Sequence, residues 1–457
     1  MPSSGADPLR DTIVVLGNFR RTVDMDRLLS SQAASHQGEE IQLAGWVHNL
    51  RNHKEVQFLV LRDRGGLIQA VAQPDSKVDL SSLGKEYVVE LTGTVVGEPR
   101  APGGVEIHLG AINVLSVAEE PPLEINRPRV LAKTHLDKIL DNRPISLRAP
   151  EIRAVFEVQA VLVEAFGSYL RSQDFTEIKS SKLVGTGTEG GANVFEIDYF
   201  GQPAFLAQSP QFYKQIMVGS GLERVFEIGP VYRAEKHETS RHVNEYTSLD
   251  FEMGFIQDEQ DIISMQIGLV GHMCAAAREN CPEQLELLGA TAPEVDGKIP
   301  QVTFKEAIEL LEKEGHRCGK KGDLDPEAER LLCAWSEKEH GSDFLYVVGF
   351  PLSKRPMYTG FHEDDPETSR SFDLLWRGLE VTTGSQRIHD HGLLCEKMRE
   401  RGLDPAEYDY YVSAFRHGMP PHGGLGLGLE RFTMQLLGLA NVKQATLFPR
   451  DRRRISP

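Results

Sequence analysis

Three stretches of this 457-residue chain carry residue types and spacings that could do chemistry. Residues 229–253 read as two strands joined by a charged loop holding Arg233, Glu235 and Arg241, which by itself is a hairpin with a solvated turn. Residues 423–431, Gly-Gly-Leu-Gly-Leu-Gly-Leu-Glu-Arg, place glycines where a backbone can approach a ligand closely, with Arg431 opening a helix. Asp373 and Glu380, seven apart, offer the oxygen ligands a hard cation takes. The same spacing also suits two acids at opposite ends of an exposed hairpin.

The elements that must hold these residues show as patterns. Residues 1–20 begin with small and polar residues and read as a loose, flexible extension. Five short β-branched or alternating runs follow, at 41–47, 56–61, 67–71, 87–95 and 105–109, separated by Gly, Pro or Asp turns. They predict a small β-barrel over 21–120. Five prolines between 121 and 150 predict a hinge. From 151 to 171, Ile152, Val155, Val158, Val161, Leu162, Ala165, Phe166 and Leu170 fall mostly three or four apart, the mark of an amphipathic helix. Within 151–457, strand and loop signals run to Phe255, a helical insertion covers about 256–345, and strands return before a helix at 429–437. The expected class is α+β.

Composition narrows the function. A chain of this length exceeds a usual single core. Fifty basic against 67 acidic residues leave a net charge of −17, which argues against indiscriminate attraction to nucleic-acid phosphates. Any such contact must be local and shaped. The five cysteines are odd in number and include no C-x-x-C pair, which supports neither a zinc site nor a disulfide framework and fits a reducing cytosol. The first thirty residues lack a secretory signal, and no apolar run reaches the roughly twenty residues that span a bilayer. A cytoplasmic location with no membrane association is expected.

The hairpin 229–253 resembles motif 2 of the class II aminoacyl-tRNA synthetases, and 423–431 resembles their motif 3. The helix over 151–171 followed by Phe175-Thr-Glu-Ile-Lys-Ser-Ser-Lys-Leu183 resembles motif 1, with Ser181 where the family has proline. Residues 45–69 are similar to the anticodon-binding OB-fold of the aspartyl, asparaginyl and lysyl enzymes. Residues 185–191 resemble the loop that closes over the amino acid, 208–214 the aspartate pocket, and 371–389 the strand pair carrying metal ligands and the side-chain reader. The resemblance spans about 21–457 and lies nearest the archaeal-type aspartyl enzymes, which also end in the Phe-Pro-Arg-Asp-Arg-Arg-Arg run seen at 448–454. It implies an antiparallel sheet flanked by helices in the catalytic domain, and a homodimer built by motif 1.

The resemblance also implies roles. Arg233 would hold the α-phosphate of ATP and the attacking carboxylate, while Arg431 and Arg241 would hold the γ-phosphate end. Glu235 would accept from the adenine amino group and His242 would lie near the triphosphate, with Val243, Gly428 and Glu430 completing the ATP site. Asp373 and Glu380, with Thr383 where many relatives have Ser, would bind Mg²⁺. Glu189, Gln211 and Asp250 would hold the aspartate ammonium, Gln208 and Thr383 would belong to the same amino-acid site, and Arg387 and Lys214 would face its side-chain carboxylate. Asparagine would then leave a buried cation unpaired. In the barrel, Phe58 would stack a base, and Arg51 and Gln69 would read base edges or phosphate.

Relatives that charge only tRNA-Asp carry Trp and Lys at the positions matching His48 and Pro102. The chain here resembles relaxed members, which also aspartylate tRNA-Asn for a later tRNA-dependent amidotransferase. Read without the family, His48 is equally a satisfied strand histidine, Phe58 a core residue and Pro102 a turn. Two other readings stay open: an asparaginyl enzyme, and a tRNA-binding paralogue without catalysis. A stand-alone ligase making asparagine would lack the barrel.

Overall fold

A computed structural model describes residues 26–54, 56–186, 193–236, 238–319 and 322–456. The extension 1–20 and Glu189 lie outside the described residues. Contacts divide the chain into two compact units, 1–131 and 132–457.

The first unit is a closed barrel of β1 (Glu40–His53), β2 (Val56–Asp63), β3 (Gly66–Ala72), β4 (Val88–Gly97) and β5 (Val105–Ser116). The strands run β1-β2-β3-β5-β4 and β4 closes back onto β1, antiparallel except for the parallel β3–β5 pair. Alternate side chains, among them Leu43, Leu59, Leu61, Ile68, Leu91 and Ile107, fill the interior. The strand β1 runs six residues beyond the apolar run that marked it in the sequence, because its polar tail still pairs with β2, Arg51 opposite Phe58. The register between β1 and β2 shifts between Val47 and Asn49, so Val47 and His48 are both buried.

The proline-rich stretch expected as a hinge contains three short helices, Pro128–Leu131, Leu136–Asp141 and Arg143–Ser146. Its later part is fastened, since buried Arg143 donates to the carbonyls of Lys443 (3.2 Å), Thr446 (2.6 Å) and Leu447 (2.8 Å).

Beyond those short helices the second unit continues with α1 (Pro150–Ser172) and the edge strand β6 (Thr176–Glu177), followed by α2 (Gln211–Met217). The hairpin is β7 (Arg224–Tyr232) and β8 (Glu245–Gly254), and α3 (Glu259–Asn280) follows it. Next come β9 (Gln301–Thr303), α4 (Phe304–Lys313), α5 (Pro326–His340) and β10 (Phe344–Val348). Last are β11 (Ser371–Trp376), β12 (Leu379–Gln386), β13 (His422–Gly428) and α6 (Leu429–Leu437). Eight strands form one sheet in the order β9-β10-β11-β12-β13-β8-β7-β6, antiparallel from β10 through β7 with a parallel pair at each edge. The apolar stripe of α1 and the buried face of α3 cover one side, with Phe166 edge-on to Phe226 at 6.0 Å. Among the described residues, no helix is long and apolar enough to cross a membrane.

Candidate active site

Tyr232 pairs with Glu245 at the open end of the hairpin, so residues 233–244 form the loop between β7 and β8. The loop is pinned, unlike a solvated turn. Arg233 donates its main-chain N–H to Asn244 O (2.9 Å), and the Asn244 amide donates to the carbonyls of Arg233 (2.7 Å) and Glu235 (3.3 Å). The carboxy-terminal run braces the loop from outside: Asn244 N donates to Arg450 O (2.7 Å), Arg452 donates to Lys236 O (3.0 Å), and Arg453 meets Glu238 at 3.2 Å. Nothing in the loop's own residues signals the Asn244 bracket.

The floor is the β8–β13–β12 triplet. Ser248, Asp250 and Glu252 lie two apart on β8 and therefore share one face, directly opposite Gly428, Gly426 and Gly424 of β13. A Cβ on Gly424 would stand 2.1 Å from Phe251 O and 2.4 Å from Glu252 Oε2, and one on Gly426 would stand 3.1 Å from Asp250 Oδ1. The glycine run thus makes room for the polar side chains of β8, a reason its sequence alone did not reveal.

A balanced set of charges occupies that face. Arg387 donates to Glu252 Oε1 (2.9 Å), Ser385 Oγ (2.7 Å), Gln211 Oε1 (3.2 Å) and Gly424 O (2.9 Å). Lys214 is 1 % exposed and donates to Asp250 Oδ1 (3.0 Å) and Leu425 O (2.8 Å), with Glu252 Oε2 at 3.3 Å. Burial alone would raise the Glu252 carboxyl, but the Arg387 and Lys214 charges outweigh it and hold the group below its ordinary range. Glu252 escaped the sequence reading, though its position two residues past Asp250 on a strand was the signal available.

At the neighbouring strand pair the Thr383 hydroxyl lies 2.9 Å from Asp373 Oδ1 and 3.0 Å from Glu380 Oε1. Arg355 donates to Asp373 Oδ2 at 2.9 Å. Burial pushes the Asp373 carboxyl up to about 6, with Arg355 opposing and Glu380 reinforcing the rise. Two acids and a hydroxyl around one point make an all-oxygen donor set, which fits a hard divalent cation. Elsewhere His316, Cys318 and Asp325 bring three ligand atoms within 4.8 Å of one another. Asp325 already caps α5 and meets His316 at 3.0 Å, and a structural zinc site takes four ligands.

One cavity of about 440 Å³ gathers most of the sequence-chosen residues. Gln208, Gln211, Arg233, Glu235, Arg241, His242, Val243 and Asp250 line it, as do Glu380, Thr383, Arg387, Gly428, Glu430 and Arg431. Lys214 and Asp373 are not on its wall: Lys214 sits beneath the floor with its donors engaged, and Asp373 reaches the site through Thr383. The Gln211 Nε2 donor is buried without a partner among the described residues, so the wall presents an unmet N–H suited to a ligand acceptor. Glu430 accepts the Thr247 N–H at 3.1 Å on both oxygens, while burial raises its carboxyl to about 7. Arg355, Tyr358 and Ser385 also line the cavity; they lie outside the charged hairpin and glycine run that drew attention in the sequence.

In the barrel, Arg51, Asn52, His53 and half-buried Phe58 border a shallow groove. Arg51 donates to Gln69 Oε1 (3.3 Å) and Gln69 Nε2 donates to Glu106 (2.8 Å), so both ends of that amide are engaged within the barrel. His48 is 9 % exposed, and its Nδ1 lies 2.9 Å from Arg62 Nη1, while Arg62 forms a two-pronged pair with Glu86 at 3.0 and 2.7 Å. Burial lowers His48 to about 4, aided by Arg62 and opposed by Glu86, so its ring is neutral. Pro102 is exposed and starts a short 3₁₀ turn.

A closed five-stranded barrel and a polar, arginine-lined cavity on an antiparallel sheet define an enzyme with a nucleic-acid module. Residues 41–115 match the OB-fold nucleic acid binding domain, and residues 135–452 match the class II tRNA synthetases for D, K and N. The chain belongs to that class II synthetase family. It is 47 % identical over 443 residues to the aspartate–tRNA(Asp/Asn) ligase of Deinococcus radiodurans, covering 95 % of this chain and all of that one. It is 41 % identical over 427 residues to the aspartate–tRNA(Asp) ligase of Thermococcus kodakarensis, covering 92 % and 97 %. Among solved structures, asparaginyl-tRNA synthetase from Pyrococcus horikoshii with asparaginyl-adenylate superposes with a TM-score of 0.88 at 30 % identity, over 94 % of this chain and all of that one.

Proposed function

We propose that the enzyme activates L-aspartate with ATP and transfers it to tRNA-Asp and also to tRNA-Asn. The observation that carries the reading is the convergence of Arg233 and Arg241 from the hairpin loop and Arg431 from β13–α6 on one cavity, beside the unmet Gln211 donor and Arg387. Cations fixed from separate elements suit a polyphosphate held in line for displacement.

In the first step the aspartate α-carboxylate attacks the α-phosphorus and pyrophosphate leaves, giving aspartyl-adenylate. Arg233 orients the α-phosphate and the incoming carboxylate, and Arg241 and Arg431 hold the departing end. Glu235 accepts from the adenine amino group, with His242, Val243, Gly428 and Glu430 enclosing the nucleotide. Asp373, Glu380 and Thr383 are the residues that would hold Mg²⁺, which when bound neutralises phosphate charge. Gln208, Gln211, Asp250 and Thr383 orient the amino acid, with Glu189 assigned by resemblance alone. Arg387 addresses the side-chain carboxylate and Lys214 supports it from below. In the second step the terminal adenosine 3′-hydroxyl attacks the carbonyl carbon and AMP leaves.

Phe58 and Arg51 of the barrel groove are assigned to the anticodon, with Gln69 holding Arg51 in place. Charging of tRNA-Asn is supported by the Deinococcus relative's name and by His48 and Pro102, whereas the Thermococcus relative is named for tRNA-Asp alone. Because His48 is buried on Arg62, its influence on base choice would pass through the β1 bulge. Asp-tRNA-Asn then requires a tRNA-dependent amidotransferase as a functional partner. We further assign homodimerisation to α1 and β6, checked by solution mass at micromolar concentration, and a cytoplasmic location, consistent with five free cysteines.

ATP–pyrophosphate exchange with aspartate and with asparagine, followed by aspartylation of both tRNA transcripts at a stated salt concentration, tests the proposal. Exchange with asparagine alone would place the chain with the asparaginyl enzymes. Absence of exchange by folded protein would favour a non-catalytic paralogue.

A further inference from the structure

The helical insertion sends one side chain into the nucleotide end of the site. Glu329 stands in the first turn of α5, a helix set by the Asp325 cap and packed through Ala328, Leu332 and Cys333 against Leu345, Val347 and Leu375. The residue is 8 % exposed. Its Oε2 accepts from the Arg241 guanidinium and from the main-chain N–H of Glu380 at 3.0 Å. Arg431 joins the same two residues from the other side, donating to Glu380 O at 3.0 Å and to Arg241 O at 3.4 Å. Arg241 also donates to Gly378 O at 3.1 Å through the nitrogen that meets Glu329, so both protons of that nitrogen are used. Its other three N–H groups remain to serve the cavity it lines.

We propose that Glu329 is a positioning residue for ATP, which fixes the Arg241 guanidinium and the Glu380 main chain together so that both meet the γ-phosphate end of the nucleotide. The inference rests on the reading of Arg241 as an ATP ligand. A long guanidinium left to itself samples many rotamers, and a buried carboxylate that takes one nitrogen removes that freedom before the ligand arrives. The same carboxylate anchors β12 at the residue assigned to the metal. Fold elements distant in sequence, α5 and the loop 233–244, are thereby tied at the site.

The test uses the full-length enzyme and aspartate-dependent ATP–pyrophosphate exchange with Glu329→Ala, Glu329→Gln, Arg241→Ala and the Ala/Ala double variant. Glu329→Ala is expected to raise KM for ATP about tenfold, as loss of a charged hydrogen bond does. KM for aspartate should stay within about twofold of wild type, which a general structural defect would not spare. The amide of Glu329→Gln still accepts a hydrogen bond and should give a smaller rise, about threefold. The double variant should be less severe than the product of the two single effects, because the share of Glu329 that acts through Arg241 is already lost in Arg241→Ala and only its hold on the Glu380 main chain remains to be removed. If Arg241→Ala raises KM for ATP while Glu329→Gln leaves it at the wild-type value, the proposal is overturned and the ATP reading of Arg241 stands. If Arg241→Ala itself leaves KM unchanged, the reading beneath the proposal fails. Should Glu329→Ala not fold, the Gln variant decides alone.

Discussion

Arg387 and Glu252 meet at 2.9 Å, with 7 % and 0 % of their side chains exposed. Arg387 is therefore not the unpaired cation that a sequence argument about rejecting asparagine assumes. Neutralising Glu252 leaves Lys214 with Asp250 as its carboxylate partner and leaves Arg387 with the neutral acceptors of Ser385, Gln211 and Gly424. Removing one member of a buried pair commonly costs about 3–5 kcal/mol. Glu252→Gln should lower the urea midpoint of the second unit by a corresponding amount. An unchanged midpoint would mean that the carbonyls of Gly424 and Leu425 satisfy both cations without it.

Arg387 lines the cavity and keeps one Nη1 proton beyond its bond to Ser385, so the proposed contact with a side-chain carboxylate is testable. Arg387→Gln should reduce aspartate-dependent pyrophosphate exchange by about 100-fold or more, and should narrow the preference for aspartate over asparagine. Equal losses for both amino acids would instead assign Arg387 to holding the floor.

The Thr383 hydroxyl between Asp373 and Glu380 makes a graded prediction. Thr383→Ser keeps the oxygen and should leave the magnesium dependence of exchange near wild type. Thr383→Val keeps the shape and loses the oxygen, so half-maximal activity should need about 10–100-fold more magnesium. Asp373→Asn should move the same curve without altering KM for aspartate. A magnesium curve that none of these variants moves would take the metal away from this trio.

The anticodon contact proposed for Phe58 can be tested apart from activation. Phe58→Ala should raise KM for tRNA about 10- to 100-fold, the worth of one stacked base, and leave pyrophosphate exchange unchanged. A change in exchange, which needs no tRNA, would point to damage of the barrel instead.

The barrel strands are legible in the sequence through alternation, since one face of each is buried, and residue type drew attention to the hairpin and glycine run, whose residues meet at one cavity. What stays hidden there depends on distant contacts. Asn244 reads as a loop residue until Arg450 meets its main chain, and Glu329 reads as a surface acid of a helix start until Arg241 reaches it. Lys214 carries a direct role by resemblance, yet packing draws it below the floor, because Asp250 and the Leu425 carbonyl satisfy it there. The stretch expected as a hinge from its prolines carries short helices, and the last of them is held by Arg143, whose three carbonyl partners lie about 300 residues on and so could not be read locally.

His48 gives the barrel a pH signature. In the native state the ring is held at about 4, against an ordinary 6.5, chiefly by burial and then by Arg62. Above pH 6.5 the ring is neutral in both folded and unfolded chains and contributes no pH dependence. As pH falls from 6.5 toward 4 the unfolded chain takes up a proton that the folded barrel refuses, so stability drops. Over that window the difference amounts to about 3 kcal/mol. His48→Gln cannot titrate, so the stability gap between wild type and variant should shift by that amount in the variant's favour as the solution is acidified across it. Hydrogen exchange of β1 and β2 amides, followed by mass spectrometry at pH values from about 7 down to about 4 after correction for intrinsic rates, reads this locally. The remainder of the chain serves as the internal reference. Parallel profiles for the two proteins would show that the ring is protonated in the folded barrel, with Glu86 rather than burial setting its charge.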